Sequence, residues 1–375
     1  MIGRNKKRMQ KRDRIRMVAG RIACTAGLYA LLAAVICTPG VAQDAFYKGK
    51  QITILVNFAP GGPTDVEARL FTRSIGRHID GNPVLIVRNM DGAGGMTGAN
   101  YLGEIAPRDG TYVGYFSSVA WLYSVMPGQR RVALDQFDFA AYQPGTAIHY
   151  VRTDVKPGIK SVDQILGAED LVVGGLSRDN AKDVMMRLAL DMLGVHYKYV
   201  TAYVGSQGVR LALQRGEVNY YAESPAVYRT QIEPLVKQGQ VIPLYYDPGY
   251  DGQSFSVPKQ MDGLEIPSFL DVYRKFKSAE PSGLQWESYL AALSVNNGTQ
   301  RIVALPPHSP PGAIAALQKA IHEMQNDPAY IADATKAFGY VPEYVADGDT
   351  SDRVRKMLNV KPDVQAFMQK YMAEH

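Results

Sequence analysis

A short apolar run, followed by a glycine loop and a helical pattern, limits most strongly what this chain can fold into. The run covers residues 52–56 and leads into a Pro-Gly-Gly loop at 60–62, after which apolar residues recur at helical spacing up to residue 79. This order predicts a strand, a tight loop and a helix. Thr64 and Glu67 have the spacing of a capping box, which predicts that the helix starts at Thr64.

A second unit of the same kind follows within about fifty residues. The apolar run 84–87 leads into the glycine-rich segment 89–98 and then into another helical pattern, and neither loop contains Lys or Arg. Backbone N–H groups at the positive end of a helix bind anions. One such loop is equally well explained as a simple tight turn. Two of them favour a pair of anion-binding helix starts along one edge of a sheet.

The first 42 residues read as a secretory signal peptide. They hold nine Lys/Arg and one acid, an apolar stretch at 26–36, and small residues leading to Ala42. We expect cleavage after Ala42 or Gln43 and a periplasmic location, with an uncleaved anchor as the alternative. This segment contributes +8 to the chain's net charge of +5, so the remainder is near −3, which argues against nucleic-acid binding. It also holds both cysteines, Cys24 and Cys37.

The remaining residues are enough for two α/β domains. We expect a first domain made of residues 43–147 and 246–375, and a second made of 148–245. The strand 241–246 is predicted to return the chain to the first domain, and Ser206 is predicted to cap a helix of the second. Strands are also predicted at 289–295 and 301–305, whereas residues 247–282 are predicted to be irregular surface.

Motifs of common enzymes do not occur in the sequence. It has no His-Glu-x-x-His, no Gly-x-Ser-x-Gly and no Walker loop. Gly92-x-Gly94-x-x-x-Gly98 resembles a dinucleotide loop, but the strand that follows ends at Ser117-Ser118 and not at an acid. We therefore expect a binding protein, with no catalytic residues, no cofactor and no metal site.

The order of several motifs resembles the solute receptors of tripartite tricarboxylate transporters, the Bug family. These motifs are Pro60-Gly61-Gly62-x-x-Asp65, the Asn89 to Gly98 segment, Pro107-x-Asp109-Gly110, Tyr203-Val204-Gly205-Ser206, Gly216-Glu217-Val218 and Pro310-Pro311. The resemblance spans nearly all of the mature chain. It implies an α/β, two-lobed type II periplasmic binding protein, a Venus flytrap with its ligand cleft between the lobes. It also implies a monomer that delivers a small organic carboxylate to membrane permease subunits. A sensor that passes ligand occupancy to a membrane kinase would share this fold and is the alternative.

The resemblance also implies which residues bind the ligand. In the first domain they are Phe58, Ala59, Gly61, Gly62, Pro63, Thr64, Asp65, Ala93, Gly94, Gly95, Ser117 and Ser118. In the second domain they are Ser177, Asn180, Gly205, Ser206 and Glu223. Arg178 and Tyr203, which lie near the same predicted cleft edge, are further candidate ligand residues. One carboxylate would be held by backbone N–H groups, and Asp65 is expected to shape its loop rather than touch the ligand.

The sequence departs from the family pattern in ways that bear on ligand identity. Met90 and Asp91 stand where the family has a basic residue and a proline, and Arg178-Asp179 replaces a small neutral pair. Arg178 is expected either to pair with a second ligand carboxylate or to contact Asp179 or solvent. Tyrosines lie near the predicted cleft edges, so an aromatic carboxylate stays among the candidate ligands.

Overall fold

The fold was obtained as a computed structural model, which describes residues 45–125 and 131–374. The predicted signal peptide lies outside these residues. From residue 51 to 152 the elements are β1 (Gln51–Val56), α1 (Pro63–Ile75), β2 (Val84–Asn89), α2 (Met96–Glu104), β3 (Tyr112–Phe116), α3 (Val119–Val125), β4 (Asp138–Gln143) and β5 (Ile148–Arg152). From 172 to 256 they are β6 (Val172–Gly174), α4 (Ala181–Leu193), β7 (Lys198–Val200), α5 (Gly205–Gln214), β8 (Tyr220–Glu223), α6 (Pro225–Val227), α7 (Glu233–Lys237), β9 (Val241–Tyr246), β10 (Gly249–Tyr250) and β11 (Phe255–Ser256).

The C-terminal part is mainly helical. It contains α8 (Phe269–Lys277), α9 (Gly283–Ala292), β12 (Arg301–Leu305), α10 (Pro311–Gln325), α11 (Pro328–Phe338), α12 (Thr350–Met357) and α13 (Pro362–Glu374). Short 3-10 segments occur at Ala93–Gly95, Leu134–Gln136, Val162–Gly167 and Lys259–Met261, and π-helical segments at Tyr228–Ile232 and Leu293–Asn297.

Two five-stranded mixed sheets form the two lobes. The first has the order β2-β1-β3-β12-β4, with β1, β2 and β3 parallel and β12 antiparallel to its neighbours. The second has the order β7-β6-β8-β5-β9. Helices cover both sheets, so the central strands are buried on both faces, which explains why they read as continuous apolar runs. The predicted two-lobed type II architecture is confirmed.

The strand 241–246, after which the chain is predicted to return to the first domain, is the last strand of the second sheet. The strand is β9, and it pairs antiparallel with β5 at the edge of the second sheet, with Tyr246 opposite Ile148. The chain therefore leaves this sheet only after Tyr246. The domain limits along the chain stay a prediction.

The strand predicted at 289–295 is helical in the structure. Trp286, Tyr289 and Leu293 are buried and lie three and four residues apart, which is the helical period of α9 and the π-helical segment after it. Residues 247–282 are also more regular than predicted, because they contain the β10–β11 hairpin and α8. The strand predicted at 301–305 is confirmed as β12.

Candidate functional site

The carboxyl ends of β1, β2 and β3 meet at one edge of the first sheet, where α/β proteins bind ligands. Asn57, the residue after β1, is fully buried there. Its Nδ2 donates to the Ser117 carbonyl oxygen at 2.9 Å and to that of Gly95 at 3.5 Å, while its Oδ1 accepts the Ser117 N–H at 3.1 Å. One side chain thus ties together the two glycine loops and the end of β3.

The first loop is shaped by Asp65, as predicted. Its Oδ2 accepts the Gly61 N–H at 2.8 Å and Arg69 Nε at 2.9 Å, and its Oδ1 accepts Asn89 Nδ2 at 2.9 Å. Burial raises the pKa of Asp65, but the hydrogen bonds from Arg69, Gly61 and Asn89 outweigh it and hold the pKa below its usual value. Asn89 Nδ2 also donates to the Phe58 carbonyl oxygen at 2.8 Å, which fixes the other end of the loop.

The predicted capping box at Thr64 and Glu67 is wrong. The N-cap of α1 is Gly62, which has no side chain, and Pro63 occupies the first helical turn. Proline favours that position because its fixed φ suits a helix start, so the helix begins before Thr64. Glu67 instead forms an ion pair with Arg301, with Oε2 at 2.7 Å from Nη2.

The second loop runs through successive left-handed residues. Gly92, Ala93, Gly94 and Gly95 have φ values of 119°, 49°, 63° and 99°. A Cβ at Gly95 would lie 2.2 Å from Asn57 Nδ2, so only glycine fits there. Gly95 is also the N-cap of α2, which leaves this helix start without a side-chain cap. The non-glycine residue Ala93 in a left-handed conformation marks a strained loop, as active and binding sites often have.

Arg301 is a cation at this sheet edge that the loop sequences do not show. It begins β12 next to the end of β3, and its side chain is buried. Its Nη1 donates to Ser117 Oγ at 3.1 Å, and the adjacent residue Ser118 has a left-handed φ of 58°. The site edge therefore combines backbone donors with one buried arginine, which is paired with Glu67.

In the second lobe, the start of α4 is capped by Asn180. The side-chain oxygen of Asn180 accepts the N–H of Lys182 at 3.1 Å and that of Asp183 at 3.4 Å. Ser177 Oγ donates to Asp179 Oδ1 at 2.6 Å. Asn180 therefore serves its own helix, and its place in the ligand site stays a prediction.

Arg178 lies at the surface, which agrees with solvent contact as one of the alternatives expected for it. Its side chain is exposed, and Nη1 donates to the Ala373 carbonyl oxygen at 3.4 Å, in α13. The Asp179 carboxylate is engaged by Ser177. Trp121 Nε1 of α3 donates to the Asp179 carbonyl oxygen at 2.9 Å, so this loop meets the first lobe.

The start of α5 lies beside a lysine that the sequence analysis missed. The N-cap of α5 is Val204, and Ser206 lies inside the first turn. The prediction that Ser206 caps this helix is therefore wrong. Lys182 Nζ lies 3.4 Å from Ser206 Oγ, 2.6 Å from Tyr221 Oη and 3.0 Å from the Ala222 carbonyl oxygen. Burial lowers the pKa of Lys182.

Glu223 ends β8 next to this cluster. Its Oε1 lies 2.5 Å from Arg210 Nη1, and its side chain is buried. Lys182 lies in the first turn of α4, where the helix dipole disfavours a cation. This unusual position could have marked Lys182 as a candidate functional residue from the sequence. Tyr203 is half-buried and Gly205 exposed at the start of α5. Ser206, Glu223 and Lys182 thus come together, whereas Arg178 is directed to α13.

Residues 45–125 and 131–374 contain neither a candidate membrane-spanning helix nor a candidate metal site. Within these ranges, no helix has the length and apolar character needed to cross a bilayer. In the same ranges, no group of three or more His, Cys, Asp or Glu side chains is arranged to hold a metal ion.

Solved structures with a similar fold cover almost the whole described chain. A TctC solute binding protein from Polaromonas has a TM-score of 0.60 at 19% identity, over 88% of this chain and 100% of its own. The periplasmic binding protein BugD has a TM-score of 0.61 at 17% identity, over 87% and 98%. MatC from Rhodopseudomonas palustris, with bound malate, and R. palustris Rpa4515, with adipate, have TM-scores of 0.55 and 0.61 at 17% and 15% identity, each over 87% of this chain and 98% of their own.

Sequence comparison finds relatives of the same group. A UPF0065 protein of Agrobacterium vitis is 28% identical over 198 residues, which are 51% of this chain and 56% of that protein. Protein BugT of Bordetella pertussis is 38% identical over 76 residues, 20% of this chain and 23% of its own. The chain is thus similar to Bug and TctC solute-binding proteins, in fold over most of its length and in sequence over part of it. No family model matches the chain.

The matches to the curated relatives are partial in length. They span about half of the UPF0065 protein and about a quarter of BugT.

Proposed function

We propose that this protein is an extracytoplasmic receptor of the Bug/TctC type, which captures a small organic carboxylate and delivers it to the membrane permease of a tripartite tricarboxylate-type transporter. The observation that carries the proposal is the pair of glycine-capped helix starts, α1 and α2, at one sheet edge. Fixed backbone donors at a helix start favour an anionic group. MatC and Rpa4515 hold malate and adipate, which are both dicarboxylates, and this supports the same class of ligand here.

The first carboxylate group would lie over the loops at 58–65 and 93–95. Asp65 does not repel it strongly, because both of its oxygens accept hydrogen bonds from the loop and its neighbours. Asn57 fixes the spacing between the two loops, so the donors are in place before the ligand arrives. Arg301, whose charge is compensated by Glu67, donates to Ser117 Oγ and so orients the Ser117 hydroxyl.

The far end of the ligand would lie against the start of α5 in the second lobe. We infer that Lys182 and Ser206 bind a second acidic or polar group there. Lys182 is held in place by Tyr221 and the Ala222 carbonyl oxygen, so its ammonium group is oriented at little entropic cost to binding. This arrangement favours a dicarboxylate over a monocarboxylate.

A screen of mono- and dicarboxylates by thermal shift, followed by calorimetry, tests the receptor function. In Lys182→Met, the affinity for a dicarboxylate should fall about 10–100-fold, because a charge-assisted hydrogen bond contributes about 1.5–3 kcal/mol. Lys198→Met, an exposed lysine of β7, is the matched control and should bind normally. Equal dicarboxylate affinity in both variants would show that Lys182 does not contact the ligand. Turnover of the bound acid would argue against a receptor.

Export of the protein is part of the same proposal. The protein recovered from the periplasm should begin near Gln43 or Asp44, because the basic segment and the small residues before Ala42 suit signal peptidase. Intact-mass measurement checks this. A full-length mass, or a lipid on Cys37, would contradict it.

A further inference from the structure

A cavity lies where the chain passes between the two sheets. Its volume is about 560 Å³, within the range of roughly 300–1,000 Å³ that is usual for small-molecule sites. Gly145, Gly249 and Gly298 line it. They belong to the segments between β4 and β5, after β9, and before β12. Among its lining residues, all from the described part of the chain, none belongs to the predicted carboxylate site.

The walls of this cavity are largely apolar. Tyr142 and Tyr250 provide aromatic rings, and Val257, Val345 and Met357 provide aliphatic and thioether surface. Val257 is 66% exposed, although a valine would be expected to pack against the protein. Tyrosine rings and a methionine suit a flat apolar body, because methionine adapts its shape and its sulfur packs well on aromatic groups.

The charges around the cavity are balanced with one exception. Lys259 Nζ lies 2.7 Å from Glu343 Oε1, and Arg353 Nη2 lies 3.0 Å from Asp347 Oδ2. Lys356 also lines the cavity, and it forms no ion pair with any residue of 45–125 or 131–374. The ammonium group of Lys356 is therefore the charge at this wall with which an anionic group of a bound molecule could pair.

The remaining acid of the lining, Asp251, is engaged within its own turn. Its carboxylate accepts the N–H groups of Gln253 and Ser254 and the Ser254 hydroxyl, at 2.7–2.9 Å. These bonds lower the pKa of Asp251, so its charge is already compensated and does not set the preference of the site.

We propose that this cavity is a second small-molecule site, which takes a molecule with a flat apolar body and one anionic group beside Lys356. The occupant would touch all three segments that connect the sheets, so it would contact the part of the chain that must bend when the lobes move. The site stands independently of the proposed receptor function, since it uses no residue of the carboxylate cleft.

The probe for this site is 8-anilinonaphthalene-1-sulfonate, an aromatic anion whose fluorescence rises in an apolar environment. We expect saturable binding of one molecule per chain. Lys356→Glu reverses the charge and Ser256→Trp places a ring in the cavity from the exposed strand β11, so each should weaken binding at least fivefold. The matched controls are Lys198→Glu, away from the cavity, and Gln253→Trp, in the same hairpin but outside the lining. Both controls should bind the probe as the unmodified protein does.

Hydrogen exchange locates the bound probe without any substitution. Amides of residues 249–260 and 294–298 should exchange more slowly when the probe is bound, and those of the loops 58–65 and 93–95 should be unchanged. Slower exchange in the glycine loops, or unaltered affinity in both cavity variants, would overturn the proposal. So would a dimer that forms through this face in sedimentation and excludes the probe.

Discussion

Gly62 and Gly94 differ in what a side chain would meet, although both lie in the predicted anion site. Gly62 has a φ of −75°, and an added Cβ would be 3.5 Å from its nearest atom, the Ala59 carbonyl oxygen. Gly62→Val should therefore abolish carboxylate binding in calorimetry, while the free energy of unfolding should fall only by the cost of valine at an N-cap, about 0.5–2 kcal/mol. Normal binding by this variant would show that the anion lies elsewhere.

Gly94→Val should abolish binding and also destabilise the protein. Its φ is 63°, and a Cβ would lie 2.8 Å from Leu122 Cδ1, so the variant should lose about 1 kcal/mol or more in urea unfolding. Gly239→Val is the control for backbone strain, because Gly239 has a φ of 70° and a Cβ there would meet no heavy atom of the described residues within 4 Å. The control should be less stable but bind normally. Loss of binding in the control would mean that strain alone explains the Gly94 result.

Asp65 makes stability depend on pH. Its pKa in the folded protein is below the ordinary value, so its contribution is present above about pH 4 and is lost as the pH falls through the folded pKa. Asp65→Asn should cost about 1–3 kcal/mol at pH 7 and clearly less at pH 3, measured by urea unfolding. An equal cost at both pH values would mean that the charge of Asp65 is unimportant.

The role of Asp65 could be predicted because its backbone partner Gly61 is four residues away. Asn57 and Arg301 could not be found in this way. Their contacts with Ser117 span 60 and 184 residues, and nothing local in the sequence marks them. Short-range chemistry is readable from one sequence, whereas a buried tie between strand ends depends on the order of strands in the sheet.

At the scale of elements, we expect some helix starts to serve stability alone and others also to position ligand contacts. Ser268 accepts the N–H of Asp271, and the Asp271 carboxylate accepts the Ser268 N–H, which forms the capping box of α8. Asn180 caps α4 next to the loop that contacts Trp121. Asn180→Ala and Ser268→Ala should each cost about 0.5–2 kcal/mol in unfolding.

Only the first of these two variants should also weaken carboxylate binding, because the cap of α4 positions Lys182. Calorimetry on both variants checks this, with Ser268→Ala as the matched control. Equal affinities would mean that the start of α4 does not position ligand contacts.

Element prediction from the sequence succeeded where two strands and two helices follow one another with glycine loops between them. It failed at 289–295, where a short window of apolar residues looks like a strand and only the wider spacing from Trp286 reveals a helix. It also missed α8, although Ser268-x-x-Asp271 is a readable start signal for that helix.

At the scale of the whole molecule, covered α/β sheets could be predicted from the alternation of strands and helices, and the two-lobed plan from the resemblance of the motifs. The limits of the lobes could not, since α8 and α9 follow the second sheet in sequence and pack against α4, and this depends on tertiary contacts. The cavity beside Lys356 was also beyond sequence reasoning. Its lining residues lie between positions 142 and 357 and come together only when the chain folds.

Ligand capture between two lobes predicts a change in overall dimensions. A saturating dicarboxylate found in the screen should reduce the radius of gyration in solution scattering, because a ligand that contacts both lobes stabilises their closed arrangement. At 100 times its dissociation constant it should also add about 2.7 kcal/mol to the free energy of unfolding. Gly62→Val is the matched control and should show neither effect. If a tight ligand raises the stability but leaves the scattering unchanged, the two lobes do not move on binding, and the ligand enters a site that is already formed.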